Sequence, residues 1–495
     1  MYQINIIDNY NSFISARYGP FSITKDNIVK DKGQPSKNEI SDVIDDLKQV
    51  AEKSLSQLKE ENPNLLIFPE NLSYYQDGFD NKEKRICTLY PEFGENKYIE
   101  TGNVMGWIGF GQTQLKIYSR FDSNGASSKK YKIIPKKDFF MLHLLSRVGA
   151  FHVTALDYTE GKDSPIDSLV MLMMPECLKN AISQGLYKEY RTFDRNDFRV
   201  RGTINVSKHI RHNLPFAGDV AYRSREYSFD NDMTQLIRHT LEYMKDTPMG
   251  QSILNGDSEL KQCVEMIYQA TPTYETRNRG QIIKNNLRPK VHPYYTGYVT
   301  LQKLCLQILH EEGICYGVES DEKVHGILFD GAWLWEAYIN RLLVKANLGF
   351  VHPNNIAKEN AYKMFKASED STNAIGIDNR DAYPDFYNDH CVLDAKYKHL
   401  ENRVQREDLF QVISYMHTMP RDVGGYIYPF QIQQKEDCPS VKPFLLNGRN
   451  GDGGRIFTIP FLIPSYKADT TWEKYEKEIT SAEEEFINNL SLLRL

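Results

Sequence analysis

Two acids and a lysine with the spacing of a hydrolytic site lie in residues 382–398, AYPDFYNDHCVLDAKYK. An Asn-Asp turn signal separates Asp385 from an apolar run that leads into Asp394 and Lys396, which predicts a β-hairpin. Side chains alternate along a strand, so Asp394 and Lys396 should project from the same face, with Asp385 beside them. The pattern therefore predicts two carboxylates and one ammonium group on a single patch.

This set of groups suits the hydrolysis of a phosphodiester. That reaction needs charge stabilisation on the phosphorus oxygens and a nucleophilic water at neutral pH, and Mg²⁺ held by one or two carboxylates supplies both. We expect Asp385 and Asp394 to bind Mg²⁺, with Mn²⁺ as a substitute, and Lys396 to hold or help deprotonate the water. The alternative interpretation is that the three residues are surface charges on an ordinary α/β hairpin.

A further acid is predicted on a helix upstream of the hairpin. Asp330 can cap a helix that runs through GAWLWEAYINRLLVKA to a stop at Gly349. Glu336 lies in the middle of that helix among apolar residues, where a carboxylate is costly unless it is paired or bound to a metal. We therefore predict Glu336 as a further catalytic residue and metal ligand. The alternative is a buried acid whose hydrogen bonds are satisfied.

A helix and a strand downstream of the hairpin complete the arrangement. Asp408, Gln411 and Tyr415 fall on one helix face at positions i, i+3 and i+7, and the strand GGYIYPF follows. We assign supporting roles to Gln411 and Tyr415. The ordered set of acid-bearing helix, hairpin with Pro-Asp and Asp-x-Lys, second helix and strand closely resembles the PD-(D/E)xK nuclease core.

The residues of this core are similar to one family in particular. YPDF, VLDAKYK, REDLFQVISYMH and GGYIYPF, preceded by LWEAYINRLL, resemble the McrC nuclease subunits of McrBC modification-dependent restriction systems. Weaker similarity extends to FRVRGTINVSKHIRHN and MGWIGFGQTQLKIYSRFD. The resemblance implies that the family's metal and catalytic positions fall on Asp385, Asp394 and Lys396. It also implies double-stranded DNA as substrate, and a McrB-like AAA+ GTPase hexamer as a partner that the amino-terminal domain stimulates.

The elements that must position these residues divide into three predicted parts, which gives a multidomain α+β fold class. Residues 1–135 look β-rich, with one inserted helix over 36–61 that begins at a Ser36-x-x-Glu39 capping box, and are expected to bind the partner. Residues 136–320 are predicted to be a mainly helical, locally basic linker or DNA-contact region. Residues 321–495 are predicted to form an α/β PD-(D/E)xK endonuclease domain, with an exposed acidic helix after residue 468.

Composition sets limits on these expectations. At 495 residues the chain exceeds the size of one ordinary core, and 41% hydrophobic with 25% charged residues is typical of a folded protein. A net charge of -6 gives no overall sign of nucleic-acid binding. Seven scattered cysteines without a C-x-x-C pair, and the lack of a signal peptide or membrane-spanning run, predict a cytoplasmic protein with no membrane association.

Local basic stretches are the remaining sign of a nucleic-acid contact. Residues 191–213 and 271–303 are rich in Arg and Lys near aromatic residues, which suits contact with a phosphate backbone and with base faces. The candidate DNA contacts are Arg199, Arg201, Lys208, Arg211, Arg277, Arg279, Lys284, Arg288 and Lys290. A solvated helix face explains the same charges equally well.

No Gly-Lys-Ser/Thr follows the glycine-rich stretches, so we expect this chain to bind no nucleotide.

Three functions stand open from the sequence. The first is a Mg²⁺-dependent DNA endonuclease subunit of a McrBC-like restriction complex for phage defence, which stimulates an AAA+ GTPase partner. The second is a stand-alone restriction or repair nuclease, which would cut DNA with Mg²⁺ alone. The third is a non-catalytic adaptor that only activates a motor, and the intact set of Asp385, Asp394 and Lys396 argues against it.

Overall fold

The computed structural model describes most of the chain, in segments separated by gaps. The described residues are 2–10, 21–30, 33–69, 85–91, 97–121, 138–148, 169–255, 258–316, 324–353, 362–363, 381–400, 404–431, 441, 443–447, 453–467 and 470–491. The chain divides into two compact units. Unit 1 comprises Met1–Val153, Asp157–Asp167 and Glu322–Leu495, and unit 2 comprises Thr154–Leu156 and Ser168–Asp321.

Strands and helices alternate along much of the chain. The strands are β1 (Tyr2–Ile7), β2 (Phe21–Ser22), β3 (Ile28–Lys30), β4 (Leu66–Phe68), β5 (Cys87–Pro91), β6 (Lys97–Thr101), β7 (Val104–Phe110), β8 (Thr113–Tyr118), β9 (Glu189–Asp197), β10 (Thr203–Ile204), β11 (Val220–Ser228), β12 (Val324–Asp330), β13 (Tyr362–Lys363), β14 (Asp381–Ala382), β15 (Phe386–Tyr387), β16 (Cys391–Ala395), β17 (Val423–Gln431), β18 (Pro443–Leu445) and β19 (Arg455–Ile463). The helices are α1 (Lys37–Lys48), α2 (Leu55–Glu61), α3 (Phe139–Val148), α4 (Leu169–Leu172), α5 (Met174–Ser183), α6 (Val206–His212), α7 (Asp232–Lys245), α8 (Pro248–Asn255), α9 (Ser258–Ala270), α10 (Arg279–Asn285), α11 (Gly297–Tyr316), α12 (Gly331–Ala346), α13 (Arg406–Thr418) and α14 (Trp472–Ser491), with a short 3₁₀ helix at Thr276–Asn278. Within the described segments, no helix combines the length and the apolar character needed to cross a membrane.

The first sheet of unit 1 joins the amino-terminal part of the chain to the start of the carboxyl-terminal part. Its strand order is β3-β1-β8-β7-β12-β4, and β12 is antiparallel to β7 and parallel to β4. Gly106 has a φ of +120°, and a Cβ atom there would lie 2.2 Å from the carbonyl oxygen of Ile327, so the close approach of the strands requires glycine. The predicted parts 1–135 and 321–495 therefore share one sheet and one compact unit in this structure.

The second large sheet of unit 1 carries the predicted site. Its strand order is β15-β16-β17-β19-β18, in which the three central strands are parallel and the two edge strands are antiparallel to their neighbours. Helix α13 connects β16 to β17 and packs on a buried cluster that includes Val392, Val412 and Met416. These sheets and helices confirm the predicted mixed α and β class of the chain.

Unit 2 combines helices with a three-stranded antiparallel sheet of order β10-β11-β9. Its longest helix, α11, packs against α5 and α7 and buries Leu301, Leu304 and Ile308. The prediction of helix is wrong for much of the basic stretch 191–213, which contributes to β9 and β10 and forms only the short helix α6. The reason is local, because EYRTFDRND alternates uncharged and charged residues over much of its length with the period of a strand.

The helix predicted over 36–61 needs a second correction. Ser36 begins α1 with the predicted capping box, but α1 ends at Lys48 and a separate helix, α2, follows. Glu52 between them adopts a left-handed φ of 64°, and Ser54 opens a second capping box with Gln57. A helix cannot continue through a left-handed residue, so the apolar spacing spans two helices rather than one.

Two predictions near the carboxyl-terminal end also differ from the structure. The helix that carries Glu336 ends at Ala346, because Asn347 adopts a left-handed φ of 50° before Gly349 is reached. The acidic helix α14 is not simply exposed, since one face packs against β19 and α3. Its buried residues are Trp472, Tyr475, Ile479, Glu483, Phe486 and Leu490.

Candidate active site

The predicted hairpin is present and brings Asp385 next to the end of β16. β15 and β16 are antiparallel, and Asn388 holds the turn between them, because its Oδ1 accepts hydrogen bonds from two backbone N–H groups at 2.9 Å. Asp385 Oδ2 accepts a hydrogen bond of 2.6 Å from the backbone N–H of Ala395. The side chain of Asp385 is therefore held beside Asp394, the residue before Ala395.

Asp394 is the most buried carboxylate of the site. Its side chain is 2% exposed, and Oδ2 lies 2.9 Å from Lys396 Nζ. In the part of the chain that the structure describes, neither carboxylate oxygen has a hydrogen-bond partner of good geometry. Burial raises the pKa of Asp394, although Lys396 opposes that shift. A buried carboxylate with unused acceptor capacity is suited to binding a cation.

Lys396 is surrounded by acceptors. Its Nζ donates a hydrogen bond of 3.1 Å to Gln411 Oε1 and lies 3.5 Å from Asp408 Oδ1, in addition to its contact with Asp394. Burial disfavours the ammonium form, but Asp394 and Asp385 outweigh burial and raise the pKa of Lys396. Lys396 is therefore protonated at neutral pH. This state suits it to orient a water and to stabilise negative charge, and not to act as a base.

Helix α13 positions the two supporting residues predicted from sequence. Gln411 accepts the hydrogen bond from Lys396, and its own Nε2 lies 3.4 Å from Tyr415 Oη. The close approach of this helix to β17 depends on Gly424, where a Cβ atom would lie 2.5 Å from Met416 Sδ. Gly424, the first glycine of GGYIYPF, thus lets the helix that carries Gln411 pack closely on the sheet.

Glu336 reaches the site from helix α12. Asp330 caps this helix as predicted, by accepting hydrogen bonds from the backbone N–H groups of Ala332 and Trp333 at 2.9 and 3.1 Å. The Glu336 side chain is 28% exposed, yet its surroundings raise its pKa to about 7 through burial and through Asp394 and Asp330. Because the Asp394 carboxylate contributes to this shift, Glu336 lies within electrostatic range of the hairpin acids.

The three carboxylates of the site repel one another. Burial, Asp394 and Glu336 raise the pKa of Asp385 well above its usual range. A divalent cation would relieve this repulsion, and Mg²⁺ needs only one or two protein carboxylates because it keeps several waters. Asp385 and Asp394 fit that requirement, with Glu336 as a third acid. Among the described residues, however, no three His, Cys, Asp or Glu side chains are already grouped so that they could hold a metal ion.

His352 is a member of the site that the sequence analysis missed. Its Nδ1 lies 2.8 Å from the carbonyl oxygen of Asp385, and its Nε2 lies 3.7 Å from Glu336 Oε1. A carbonyl oxygen can only accept, so Nδ1 carries a proton and Nε2 has a lone pair when the ring is neutral. The ring also packs on Phe386, with centroids 5.1 Å apart. No spacing signal pointed to His352, because only the folded chain brings it to the hairpin.

The nine predicted DNA-contact residues lie in unit 2, whereas the acids and Lys396 lie in unit 1. Lys208 forms an ion pair with Asp194, Arg277 with Glu275 and Lys290 with Glu189. Five others are exposed: Arg199, Arg201, Arg211, Lys284 and Arg288. Contact with DNA stays a prediction for all nine.

The fold resembles that of a chain in a solved assembly of McrB with bound McrC. A chain of the refined half-complex from a tetradecameric assembly of Thermococcus gammatolerans McrB AAA+ hexamers with bound McrC has a TM-score of 0.53 and 15% identity, and the match covers 99% of this chain and 100% of that chain. A chain of the Thermococcus gammatolerans McrBC complex has a TM-score of 0.34 and 14% identity, over 71% of this chain and 89% of that chain. A comparison with curated proteins finds no match.

A family model covers three strands of the first sheet, β7, β8 and β12, together with the site. The model is described as McrBC 5-methylcytosine restriction system component, and it matches residues 99–429. This range is well over half of the chain and includes Glu336, Asp385, Asp394 and Lys396. The resemblance seen in the sequence is therefore confirmed at the level of the family: the chain belongs to the McrBC 5-methylcytosine restriction system components.

Proposed function

We propose that this chain is the Mg²⁺-dependent DNA endonuclease subunit of a McrBC-like restriction complex that acts in phage defence. The observation that carries the proposal is the convergence of Asp385, Asp394 and Lys396, with Glu336, near the carboxyl end of the parallel strand β16. Ligands bind at the carboxyl ends of strands in open α/β sheets. Two acids and a lysine at that position, next to a helix with Gln and Tyr, support a PD-(D/E)xK type of site.

The residues divide the work of phosphodiester hydrolysis between them. When bound, Mg²⁺ would supply charge stabilisation on the phosphate oxygens and make a water more acidic. Asp385 and Asp394 would hold the ion. Lys396, kept cationic by Asp394, would orient the attacking water and stabilise negative charge on the phosphoryl group. Glu336, with a pKa of about 7, is suited to accept the proton of that water near neutral pH.

The proposed partner is an AAA+ GTPase of the McrB type, because the structural relative contains McrB AAA+ hexamers with bound McrC. Unit 2 offers a surface with the chemistry of a protein contact, since its sheet and helix α6 leave large apolar side chains exposed. These side chains are Tyr190, Phe198, Ile204, Val206, Ile210, Leu214, Phe216 and Tyr227. The expectation from sequence that residues 1–135 bind the partner stays a competing prediction. Double-stranded DNA is the proposed substrate.

The test compares cleavage with stimulation of the partner in the same preparations. Lys396→Ala in the full chain should slow Mg²⁺-dependent cleavage of DNA containing 5-methylcytosine by about 10²- to 10⁴-fold, because the water loses its orienting cation. The same variant should still stimulate GTP hydrolysis by the AAA+ partner, since its fold is unchanged. Cleavage by Lys396→Ala at the wild-type rate would refute the site. Cleavage by the wild type with Mg²⁺ but without any partner would favour the stand-alone nuclease.

A further inference from the structure

One buried arginine of the amino-terminal sheet, Arg120, touches both structural supports of the candidate active site. Arg120 lies two residues beyond the end of β8 and is 4% exposed. A guanidinium group is rarely buried to this extent unless its contacts are specific. Residues 1–135 were assigned by sequence to partner binding, so this contact lies outside the predicted site.

The first support is the end of β16, the strand that carries Asp394 and is followed directly by Lys396. Arg120 Nη2 donates a hydrogen bond to the carbonyl oxygen of Tyr397, the residue after Lys396. The guanidinium carbon also lies 4.5 Å from the centroid of the Tyr397 ring. The Tyr397 hydroxyl shares a hydrogen bond of 2.8 Å with Ser119 Oγ. Arg120 therefore contacts the backbone and the ring of Tyr397, and Ser119 contacts its hydroxyl group.

The second support is the start of the helix that carries Glu336. Arg120 Nη2 donates a hydrogen bond of 2.9 Å to Asn103 Oδ1. The backbone carbonyl of Asn103 accepts a hydrogen bond of 2.9 Å from the N–H of Gly331, the first residue of α12. The helix start and the strand end are in direct contact here, because a Cβ atom at Gly331 would lie 2.9 Å from the Tyr397 ring.

Arg120 is itself anchored from the side of the amino-terminal sheet. Asp8, which follows β1 and is fully buried, accepts a hydrogen bond of 2.7 Å from the backbone N–H of Arg120. Its second oxygen lies 3.6 Å from Nη1 of the guanidinium group. A buried ion pair is weak evidence for stability alone, since apolar residues of similar volume often do as well. The geometry of these contacts points instead to a role in placing the two supports.

We infer that Arg120 is a positioning residue of the nuclease site. It sets the separation between Glu336 on α12 and two residues at the end of β16, namely Asp394 and Lys396, the residue directly after the strand. This inference rests on the proposed function for its consequence in catalysis. The amino-terminal sheet is then part of the active-site framework, and not only a surface for a partner. Arg120 touches neither metal nor substrate in this role and acts through Tyr397 and Asn103.

The experiment compares Arg120→Lys and Arg120→Met in the full chain with a matched control, Arg147→Met. Arg147 is also an arginine of unit 1 that bonds a buried acid, since its Nε donates to Glu483 Oε1 at 3.1 Å, but neither Asn103 nor Tyr397 is among its hydrogen-bond partners. Arg120→Lys keeps a cation for Asp8 and so retains the fold, but an ammonium cannot reproduce the forked contact with Asn103 and Tyr397.

Three readouts separate positioning from loss of stability. Mn²⁺ affinity, measured by calorimetry on the chain alone, should weaken about 10- to 100-fold in both Arg120 variants, as should cleavage with the partner, while Arg147→Met matches the wild type. Hydrogen exchange at the amides of Gly331 and Lys396 should quicken only in the Arg120 variants. Wild-type Mn²⁺ affinity and exchange in folded Arg120→Lys would overturn the inference, and so would equal losses in Arg147→Met.

The same measurements distinguish this inference from the proposed function. If Arg120→Met does not fold, Arg120→Lys decides, because it leaves the charge of Asp8 compensated. If the wild-type chain cuts no DNA with any partner, the nuclease proposal fails. The positioning inference is then still judged by Mn²⁺ affinity and by hydrogen exchange, which require no cleavage.

Discussion

Two carboxylates of unit 1 are equally buried but differ in the hydrogen bonds that they accept. Asp394 and Glu483 are each 1% exposed. Glu483 accepts hydrogen bonds from His143, Arg147 and Tyr338 at 2.9, 3.1 and 3.1 Å. Neither oxygen of Asp394 has a hydrogen-bond partner of good geometry among the residues that the structure describes. Burial alone therefore does not decide what a carboxylate does in this protein.

Their pKa shifts differ in the same way. Burial acts to raise the pKa of Glu483, but His143 and Arg147 outweigh it, so the net shift is downward. Burial raises the pKa of Asp394, and Lys396 does not outweigh it. The Glu483 carboxylate, whose hydrogen bonds are made, joins helices α3, α12 and α14. The Asp394 carboxylate keeps oxygen lone pairs available to accept a ligand. The difference separates a structural acid from a functional one.

The largest expected effect on cleavage comes from removing the charge of Asp394. Asp394→Asn should reduce cleavage by at least about 100-fold, because a metal ligand is lost. It should change the Tm of the metal-free chain little, since Lys396 loses its ion pair with Asp394 but keeps Asp408 as an acidic neighbour at 3.5 Å. Asp389→Asn, on the same hairpin with a 98% exposed side chain, is the control and should change neither. A clear fall in Tm with cleavage retained would make Asp394 structural.

At Glu483 we expect the converse result, a loss of stability with cleavage retained. Glu483→Ala removes the carboxylate that accepts hydrogen bonds from His143, Arg147 and Tyr338, and should lower the free energy of unfolding by about 3–5 kcal/mol. Cleavage measured well below the Tm should stay close to wild type, because Glu483 bonds to His143, Arg147 and Tyr338, none of which is a proposed catalytic residue. Denaturant titration checks this, with the exposed neighbour Glu484→Ala as control. Equal stability of the two variants would remove the distinction drawn here.

A smaller effect should appear in the pH dependence of stability. Glu336 has a pKa raised from 4.5 to about 7 in the folded chain, so its contribution to stability is complete below pH 4.5 and is lost as the pH rises through about 7. Glu483 has a lowered pKa, so its contribution is present above its unfolded pKa and is lost on acidification. The Tm of the metal-free chain should therefore fall between about pH 5 and pH 8.

Two variants and added Mg²⁺ test which group causes the fall in Tm with rising pH. Glu336→Gln should reduce the fall on the alkaline side of the Tm profile, because one of the three carboxylates with a raised pKa is gone. Glu483→Gln should leave that side unchanged. Excess Mg²⁺ should raise the Tm of the wild type most at about pH 8, where the ionised carboxylates bind it. A profile of Glu336→Gln that follows the wild type would show that Glu336 is not the group responsible.

The sequence by itself determined the features that depend on neighbours in the chain. The hairpin that joins Asp385 to Asp394, the cap at Asp330 and the helix face with Gln411 and Tyr415 all follow from turn chemistry and side-chain periodicity. These signals act over a few residues, so they can be recognised without a fold. The same reasoning failed at Glu52, where a single left-handed residue divided a helix whose apolar spacing continued.

Only the tertiary structure decided which distant segments meet at the site. His352 joins Glu336 and Asp385, Arg120 reaches Tyr397 across 277 positions of the chain, and β12 enters a sheet begun by the first residues. No periodicity encodes such pairs, because each depends on the packing of whole sheets and on which buried charges remain paired. The sequence pattern already singled out Asp394, whereas Glu483 lies in a helix that was expected to be exposed, and only the folded chain shows it as a buried acid with three hydrogen-bond donors.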